Sequence, residues 1–331
     1  MIRAAVVGLG WWGAHIIRRL SDSKIVRVSL AVDTLTTRRN VAEEHGIAFT
    51  DNFHDALADP DIDLIILATP HRLHVKQIVE SAQAGKHVFC EKPLALDTAD
   101  VAQAVRTCRK FKVHLGVGHE RRFEPSMTDL YYCVRNGVLG TLMHVEANFS
   151  HDKLLGVQKG DWRDAPDVAM TGTGIHLTDA FIYLFGPVEQ VYASVTSRVA
   201  FADHGDVASV QLRFESGMTG YLSAILATPL YMRLVVFGSD AWAEIRNNTH
   251  PDEPGTTQLT VRYRDGRREE RTYEWSDTVR ANLELFALSL RSEADYPFTD
   301  DQKVGNIAVL SAIRRSAAFG APVAVGWGDW S

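Results

Sequence analysis

Short apolar runs alternate with amphipathic stretches through the first third of the chain. The runs Ile2–Val7 and 25–32 are each followed by a helix-like stretch, at 14–20 and 36–45 respectively. The next run, 64–68, carries no polar alternation, which is typical of a strand buried on both faces. This repeated strand–helix order predicts an α/β doubly wound parallel sheet. It continues with a helix at 73–84 that ends at Gly85, a strand at His87–Cys90, a helix at 99–110 and a strand at 112–117.

After about Arg122 the pattern changes to alternating strand-like segments, which indicate an α+β second domain. The Pro-, Gly- and Asp-rich stretch 247–255 is typical of a loop or hairpin tip. At 331 residues the chain exceeds the size at which one hydrophobic core keeps growing, so we predict two domains, 1–122 and 123–331. The predicted strands are 142–151, 188–199, Val207–Phe214, 219–227 and 233–237, and the predicted helices are 176–185, 281–291 and 301–319.

Composition narrows the class of protein. With 46% hydrophobic and 23% charged residues, the chain is neither disordered nor fibrous. A formal net charge of −6 gives no basic surface for nucleic acid or anionic lipid, so we expect neither partner. Three cysteines without a C-x-x-C pair argue against a disulfide framework or a zinc knuckle. Because the apolar runs are too short to span a membrane and the start lacks a cleavage pattern, we expect a cytoplasmic protein.

A glycine motif follows the first predicted strand. Gly8, Gly10 and Gly13 form G-x-G-x-x-G directly before a helix, and Asp33 ends the second strand. The first glycine permits the tight turn, the second lets a pyrophosphate approach the backbone, and the third allows close helix–strand packing. The helix N-terminus attracts phosphate, and the acid would bind ribose hydroxyls. Glycines that merely shape a turn would not explain the spacing to Asp33, so we predict a dinucleotide-binding Rossmann domain.

Asp33 would repel a 2′-phosphate, which favours NAD over NADP. Arg38 and Arg39 weaken that preference, because a nearby arginine accommodates the extra phosphate. We favour the alternative interpretation, in which both arginines belong to a solvated helix face, and predict NAD while leaving NADP open.

Three further segments follow predicted strands, at 68–70, 90–93 and 118–122, and ligands collect at the carboxyl ends of parallel strands. With the glycine motif and later motifs, they resemble the glucose–fructose oxidoreductase, inositol dehydrogenase and rhizopine-catabolism (Gfo/Idh/MocA) family of NAD(P)-dependent oxidoreductases. The resemblance rests on Gly8–Gly13 with His15, Thr69-Pro70 with His74, the run A-G-K-H-V-F-C-E-K-P-L at 84–94, Arg121-Arg122-Phe123 with Pro125, Trp162-Arg163, and G-I-H-L-T-D at 174–179, with a tail at 316–325 like the family's closing helix and strand.

The resemblance implies a nucleotide domain joined to a substrate domain with a large open, mainly antiparallel sheet, assembled into homodimers or homotetramers. It implies that Lys92 lies between the nicotinamide and a carbohydrate-like substrate, that His176 faces it from the second domain, and that the Lys92–Pro93 bond is cis. The residues expected to bind the cofactor are Gly8, Gly10, Trp11, Trp12, Gly13, Asp33, Thr69, Pro70, His74, Glu91 and Lys92.

The chemistry of two residues agrees with this expectation. Oxidising a secondary alcohol needs a base for the hydroxyl proton while hydride leaves the same carbon. Lys92 can stabilise the developing alkoxide and His176 can accept or relay the proton. The alternatives are an ordinary surface lysine and a satisfied buried histidine; the strand-end position beside Pro93 and the G-I-H-L-T-D context favour catalysis for both.

One position departs from the family. Members with polyol chemistry usually carry aspartate four residues before this histidine, and here that position is Gly172. Either Lys92 and His176 act alone, or Asp167, Asp179 or His151 supplies the missing carboxylate or a second imidazole, or this subgroup runs different chemistry. Asp179 is more typical of a structural helix residue than of a base.

The candidate substrate-binding residues are Arg122, His151 and Arg163. An arginine can bind a carboxylate bidentately, so two arginines facing the pocket would favour an acidic substrate over a neutral polyol. A salt bridge or an interdomain strut is the alternative role for each. His71 and His74 do not match a metal-binding helix motif, and we predict no metal site.

The sequence therefore predicts an NAD-dependent dehydrogenase that acts on a secondary hydroxyl of a sugar, polyol or related hydroxy acid. Two alternatives stay open: redox-assisted elimination or glycoside cleavage with the same cofactor, and a non-catalytic sensor of NAD or sugar.

Overall fold

The computed structural model describes residues 1–153, 155–156, 167–199 and 205–327. The chain forms two compact units, the first comprising Met1–Glu120, Asp277–Ile307 and Trp327–Ser331, and the second Arg121–Ser276 and Ala308–Gly326. The predicted division at residues 122 and 123 into a nucleotide domain and a substrate domain stays a prediction. As a compact unit, the first also includes Asp277–Ile307, a segment from late in the chain.

The first unit contains a parallel sheet, and its strands lie in the order β3-β2-β1-β4-β5-β6. This order reverses next to β1, so the β1 and β4 carboxyl ends border the crevice in which such sheets bind ligands. The strands are β1 (Ile2–Val7), β2 (Val26–Val32), β3 (Ala48–Thr50), β4 (Leu64–Leu67), β5 (His87–Cys90) and β6 (Leu115–Val117), and the helices are α1 (Trp11–Leu20), α2 (Arg39–Glu44), α3 (Phe53–Ala58), α4 (His71–Gln83) and α5 (Thr98–Phe111).

The second unit contains a larger mixed sheet. Its strands lie in the order β14-β13-β12-β11-β7-β10-β9-β8-β15, and every pairing is antiparallel except that of β7 with β10. Its elements are α6 (Pro125–Arg135), β7 (Leu142–Ser150), a π-helical turn (Met170–Gly174), α7 (Ile175–Phe185), β8 (Val188–Thr196), β9 (Val207–Phe214), β10 (Thr219–Ile225), β11 (Tyr231–Gly238), β12 (Ala241–Asn247), β13 (Thr256–Tyr263) and β14 (Arg268–Glu274).

Three elements complete the chain: α8 (Thr278–Leu290), α9 (Asp300–Phe319) and β15 (Val323–Ala324). Helix α8 belongs to the first unit, where Leu283 and Phe286 join the same buried cluster as Ile16 and Phe89. Phe89 and Phe286 lie so close to Gly116 that a Cβ there would be 2.8 Å from one ring and 2.9 Å from the other. A helix from late in the chain therefore closes the core beneath β5 and β6.

The predicted fold class is confirmed, and the differences concern individual elements. Neither β3 nor α3 was predicted, because three to six residues carry too little periodicity. Helix α6 and the strands β12–β14 were not predicted either, and α1 begins three residues earlier than predicted. The predicted loop 247–255 is confirmed as the connection between β12 and β13, except that Asn247 is the last residue of β12.

Candidate functional site

The glycine turn lies between β1 and α1. Gly8 has a φ of +91°, and a Cβ there would lie 2.6 Å from the carbonyl oxygen of Ala68. A Cβ at Gly13 would overlap the carbonyl oxygen of Gly8. The fold itself therefore requires glycine at both positions.

Gly10 differs, because the nearest atom to a Cβ at this position is Nη1 of Arg38, at 3.4 Å. That is an ordinary contact distance, so packing does not demand glycine here. Because the surrounding protein does not fill the space beside Gly10, a ligand can approach the backbone there. Of the three glycines, Gly10 is thus the one whose identity the fold leaves unexplained.

Two tryptophans open α1. Trp12 stacks on His15 with ring centroids 5.0 Å apart, and its Nε1 is buried with no acceptor among the described residues. Trp11 is 63% exposed. No described side chain caps the helix N-terminus at Gly10, so no cap competes with a ligand for its first backbone N–H groups. A buried N–H donor beside a helix N-terminus suits an anionic group, and this turn fits the pyrophosphate of a dinucleotide.

Asp33 follows β2 and supports the same turn. Its Oδ2 accepts a hydrogen bond from the Leu9 backbone N–H at 2.7 Å, and its Oδ1 accepts one from Leu35 N–H at 2.8 Å. Arg38 Nη1 donates to the Leu9 carbonyl at 2.6 Å, and Arg38 Nε lies 3.8 Å from Asp33 Oδ2. The interpretation of Arg38 as part of a solvated helix face is therefore wrong, because its guanidinium packs on the glycine turn. Arg39 instead lies over the Phe49 ring, 4.5 Å from its centroid.

His74 is fully buried in α4, and its two ring nitrogens lie 2.8 Å from the carbonyl oxygens of Pro93 and Thr69. Burial lowers its pKa, while the two backbone contacts raise it. Contrary to the expectation of direct cofactor contact, the ring is enclosed by protein and connects the loops after β4 and β5. It positions Thr69, Pro70 and Pro93, and Thr69 Oγ1 also donates to Gln77 at 2.6 Å.

Lys92 follows β5, so it lies at the same carboxyl edge of the sheet as the glycine turn, with β4 in between. The Lys92–Pro93 bond is cis, as the family resemblance implied. The Glu91 carboxylate is buried and accepts a hydrogen bond from the Lys92 backbone N–H at 3.3 Å. It packs so closely on Gly118 that a Cβ at that position would lie only 2.5 Å from it. Burial, and then the charges of His74 and Lys92, lower the pKa of His71 to about 2. His71 is therefore neutral beside the lysine.

In the second unit, His176 lies in the first turn of α7 and is 5% exposed. The π-helical turn that contains Gly172 precedes it. The His176 ring lies 5.9 Å from the ring of Phe149 on β7, measured between centroids.

Arg122 forms two hydrogen bonds with Asp179, at 2.7 and 2.8 Å, and both side chains are almost fully buried. Its guanidinium also lies over the Tyr183 ring, 4.6 Å from the centroid. Of the two roles considered for Arg122, the structure favours the salt bridge over substrate binding. The same pair gives Asp179 the structural role that the sequence favoured.

The other candidate carboxylate, Asp167, pairs with Arg314 at 3.0 Å. Burial raises the pKa of Asp167, and the Arg314 charge opposes that effect. Arg121 pairs with Glu124 through Nε at 2.8 Å and Nη2 at 3.3 Å. The ionic groups of the second unit that the sequence singled out, among the described residues, are thus paired with one another or with structural partners.

His151 is the remaining candidate from the sequence. It is buried, and its Nδ1 accepts the Lys153 backbone N–H at 3.1 Å. Its ring contacts Phe149, the same ring that His176 contacts, and it also contacts His250. His250 and its neighbour Asp252 were missed, because a loop between two strands gives no periodic signal that would place them beside β7. The candidate Arg163, with Trp162, lies outside the described residues.

Comparisons with known proteins agree with this geometry. Residues 2–119 match the sequence model of an oxidoreductase family with an NAD-binding Rossmann fold, and residues 129–244 match the GFO/IDH/MocA C-terminal domain. Myo-inositol 2-dehydrogenase from Thermotoga maritima is 32% identical over 72% of this chain and 73% of its own. The chain belongs to the GFO/IDH/MocA oxidoreductase family.

Two further relatives extend the similarity to nearly the whole chain. The uncharacterized oxidoreductase YrbE from Bacillus subtilis is 28% identical over 98% of this chain and 96% of its own. A crystal structure of an oxidoreductase from Agrobacterium radiobacter in complex with NAD+, L-tartaric acid and magnesium superposes with a TM-score of 0.85 at 20% identity, covering 98% of each chain. At that identity, the second likeness concerns the fold.

Membership of the GFO/IDH/MocA family makes the protein an NAD(P)-dependent oxidoreductase, so the predictions of an enzyme and of an NAD-type cofactor are confirmed. The described part of the chain contains no group of three or more His, Cys, Asp or Glu side chains arranged for a metal ion. Within that same part, no helix has the length and apolar character needed to cross a membrane.

Proposed function

We propose that the protein oxidises a secondary hydroxyl of a neutral sugar or polyol, with NAD as the hydride acceptor. The observation that carries this proposal is the edge of the parallel sheet that holds both the glycine turn and Lys92. Family membership supplies the reaction class, and the relative that acts on myo-inositol supports a polyol.

The proposed cofactor residues are those of the sequence analysis, with His74 acting through Thr69 and Pro93. A bound nicotinamide would supply the acceptor for the hydride that leaves the carbinol carbon. Lys92 holds a positive charge toward the hydroxyl oxygen and stabilises the alkoxide as it develops. His176 accepts the hydroxyl proton, so the alcohol loses one hydride and one proton and becomes a ketone.

A neutral substrate is favoured by the pairing of two arginines. Arg122 is neutralised by Asp179 and Arg121 by Glu124, each through two hydrogen bonds. A paired, buried guanidinium has little capacity left to bind a substrate carboxylate, which weakens the case for a hydroxy acid.

Incubation with NAD and a panel of myo-inositol, D-xylose, D-glucose and D-gluconate tests the proposal. We expect net NADH formation with at least one neutral member and a lower kcat/KM for D-gluconate. Product formation without net NADH would indicate transient oxidation instead, and no conversion of any member would contradict the proposal.

The choice of NAD over NADP rests on Asp33, whose carboxylate would repel a 2′-phosphate beside Arg38. The substitution Asp33→Asn removes this charge while Arg38 stays. We expect the ratio of the NADP to the NAD dissociation constant to fall about tenfold, measured by calorimetry. An unchanged ratio would contradict this assignment of Asp33.

We further propose that the protein forms a homodimer or homotetramer through the open face of the second unit's sheet. Tyr192 and Tyr221 flank Gln211 on neighbouring strands of this face and are 44% and 37% exposed. Light scattering of the purified protein gives the mass. Tyr221→Lys should lower it if the face is an interface.

A further inference from the structure

Three histidine rings surround Phe149 in the second unit. The ring centroids of His151, His176 and His250 lie 5.7, 5.9 and 5.8 Å from that of Phe149, and those of His151 and His250 lie 5.4 Å apart. We call His151, His176 and His250 the imidazole cluster. It brings together the ends of β7, α7 and the loop between β12 and β13.

Asp252 holds His250. The Nδ1 atom of His250 lies 3.2 Å from Oδ2 of Asp252 and 3.3 Å from its backbone nitrogen, and the two side chains are 12% and 11% exposed. In one tautomer Nδ1–H donates to the carboxylate, and in the other Nδ1 accepts the backbone N–H. Either way Asp252 fixes the ring, and the imidazole presents Nε2 as an acceptor in the first case and as a donor in the second.

The loop that carries this pair is anchored by other contacts. Trp275 donates its Nε1–H to the Pro251 carbonyl at 2.8 Å and its backbone N–H to the Gly255 carbonyl at 2.9 Å. Lys153 pairs with Glu253 at 2.8 Å. The loop thus has several attachments besides the His250–Asp252 contact.

The chemistry of the pair suits a hydroxyl group. A hydroxyl both donates and accepts, so it matches Nε2 of His250 in either tautomer, whereas a carboxylate accepts only. The Asp252 carboxylate beside the ring also disfavours an anion at this place. The family's usual carboxylate is absent at Gly172, and a carboxylate-held imidazole lies within the same cluster as His176.

We propose that His250, positioned by Asp252, hydrogen-bonds a hydroxyl of the substrate other than the one that is oxidised. This inference rests on the proposed oxidation of a neutral sugar or polyol. The contact fixes the orientation of the substrate beside His176, and it is made equally in the ground state and the transition state. Its loss therefore raises KM and leaves kcat nearly unchanged.

Steady-state kinetics with the panel sugar that gives the highest kcat/KM test the proposal. The substitution His250→Phe retains a ring against Phe149 and removes both nitrogens. We expect its KM to rise about tenfold, the value of one hydrogen bond, with kcat within about threefold of wild type. His250→Gln, whose amide can reach the position of Nε2, should recover part of the lost affinity, and Asp252→Asn should give a smaller rise in KM.

The matched control is Glu253→Gln, which breaks the Lys153–Glu253 pair on the same loop. We expect its KM to equal that of wild type, and all four variants to retain the melting temperature and the NADH affinity of wild type. A wild-type KM in His250→Phe would overturn the role of His250 alone. An equal rise in KM in Glu253→Gln would show a general effect of the loop and would also overturn it. A wild type that reduces NAD with no panel member would instead remove the proposed function.

Discussion

The glycine turn and the imidazole cluster are built in opposite ways. The turn consists of six consecutive residues, Gly8–Gly13, between one strand and one helix. The cluster takes side chains from positions 151, 176 and 250, which meet around Phe149. The glycine turn is therefore determined by neighbouring residues in the chain, whereas the imidazole cluster forms only when the large sheet has folded.

This difference affects how each region tolerates change. In the turn, backbone packing requires glycine at positions 8 and 13. Residues that the fold requires and residues that face a ligand therefore lie within the same six positions. In the cluster, the packing is carried by Phe149 and the surrounding sheet, so polar atoms can vary with less effect on the fold. Within the turn we therefore expect some substitutions to lower stability and others to lower cofactor affinity, whereas substitutions of His250 in the cluster should lower substrate affinity and leave stability unchanged.

The largest effect is expected for Lys92→Met, which removes the charge from the edge of the first sheet and keeps the chain length. We expect kcat to fall at least about a thousandfold, because a positioned charge stabilises the alkoxide in the transition state. Because Lys92 is also a proposed cofactor contact, the NADH dissociation constant, measured by calorimetry, should rise, but by at most about tenfold and so far less than kcat falls. A loss of less than tenfold in kcat would remove Lys92 from the chemistry.

Next in size is the contrast between two glycines of the same turn. Gly13→Ala places a Cβ on the Gly8 carbonyl and should destabilise the protein by about 3 kcal/mol in urea unfolding. Gly10→Ala meets an ordinary contact and should retain the unfolding midpoint, while NADH affinity falls at least about tenfold. Equal unfolding midpoints for the two variants would contradict the assignment of Gly13 to backbone packing and of Gly10 to cofactor binding.

The third prediction concerns pH and His71. Its folded pKa of about 2 lies below the unfolded value, so the unfolded chain takes up the proton first as the pH falls. The contribution of neutral His71 to the free energy of unfolding is therefore fully present above about pH 6.5. It is lost as the pH falls, by about 2 kcal/mol between pH 6.5 and 5. His71→Gln should lose correspondingly less stability between pH 7 and 5 in urea unfolding. Identical losses in variant and wild type would argue against a buried neutral His71.

The smallest effect is expected at Trp12. Trp12→Phe keeps an aromatic ring against His15 and removes the buried N–H donor. We expect NADH to bind about tenfold more weakly by calorimetry, the loss of one hydrogen bond to a charged group. Trp11→Phe is the matched control and should weaken NADH binding by less than about threefold, because it keeps an aromatic ring and the Trp11 ring is mostly exposed. Equal NADH affinities of the two variants would show that the indole N–H of Trp12 does not contribute to NADH binding.

Much of the first unit could be predicted from sequence because its signals are local. The strand β1, the glycine turn and Asp33 follow one another within 33 residues, and their spacing alone suggests a nucleotide site. Helix α8 could not be predicted as part of this core, since nothing in its own sequence indicates that Phe286 packs against Phe89.

The candidate site shows the same limit at single residues. His74 matched a cofactor motif, yet its position between two carbonyl groups makes it a connector of loops. Arg122 matched a substrate role, yet Asp179 lies within reach only because α7 returns beside residue 122. Residue type and motif do not reveal which partner a charged group meets.

The amino-acid sequence by itself determined the class of fold, the nucleotide turn and the identity of the family, because these depend on periodicity and on neighbours in the chain. Tertiary structure decided which side chains are buried in structural contacts and which lie around Phe149. That decision depends on strand register and on helices that return from distant positions, and these bring together His151, His176 and His250 across about a hundred residues of chain.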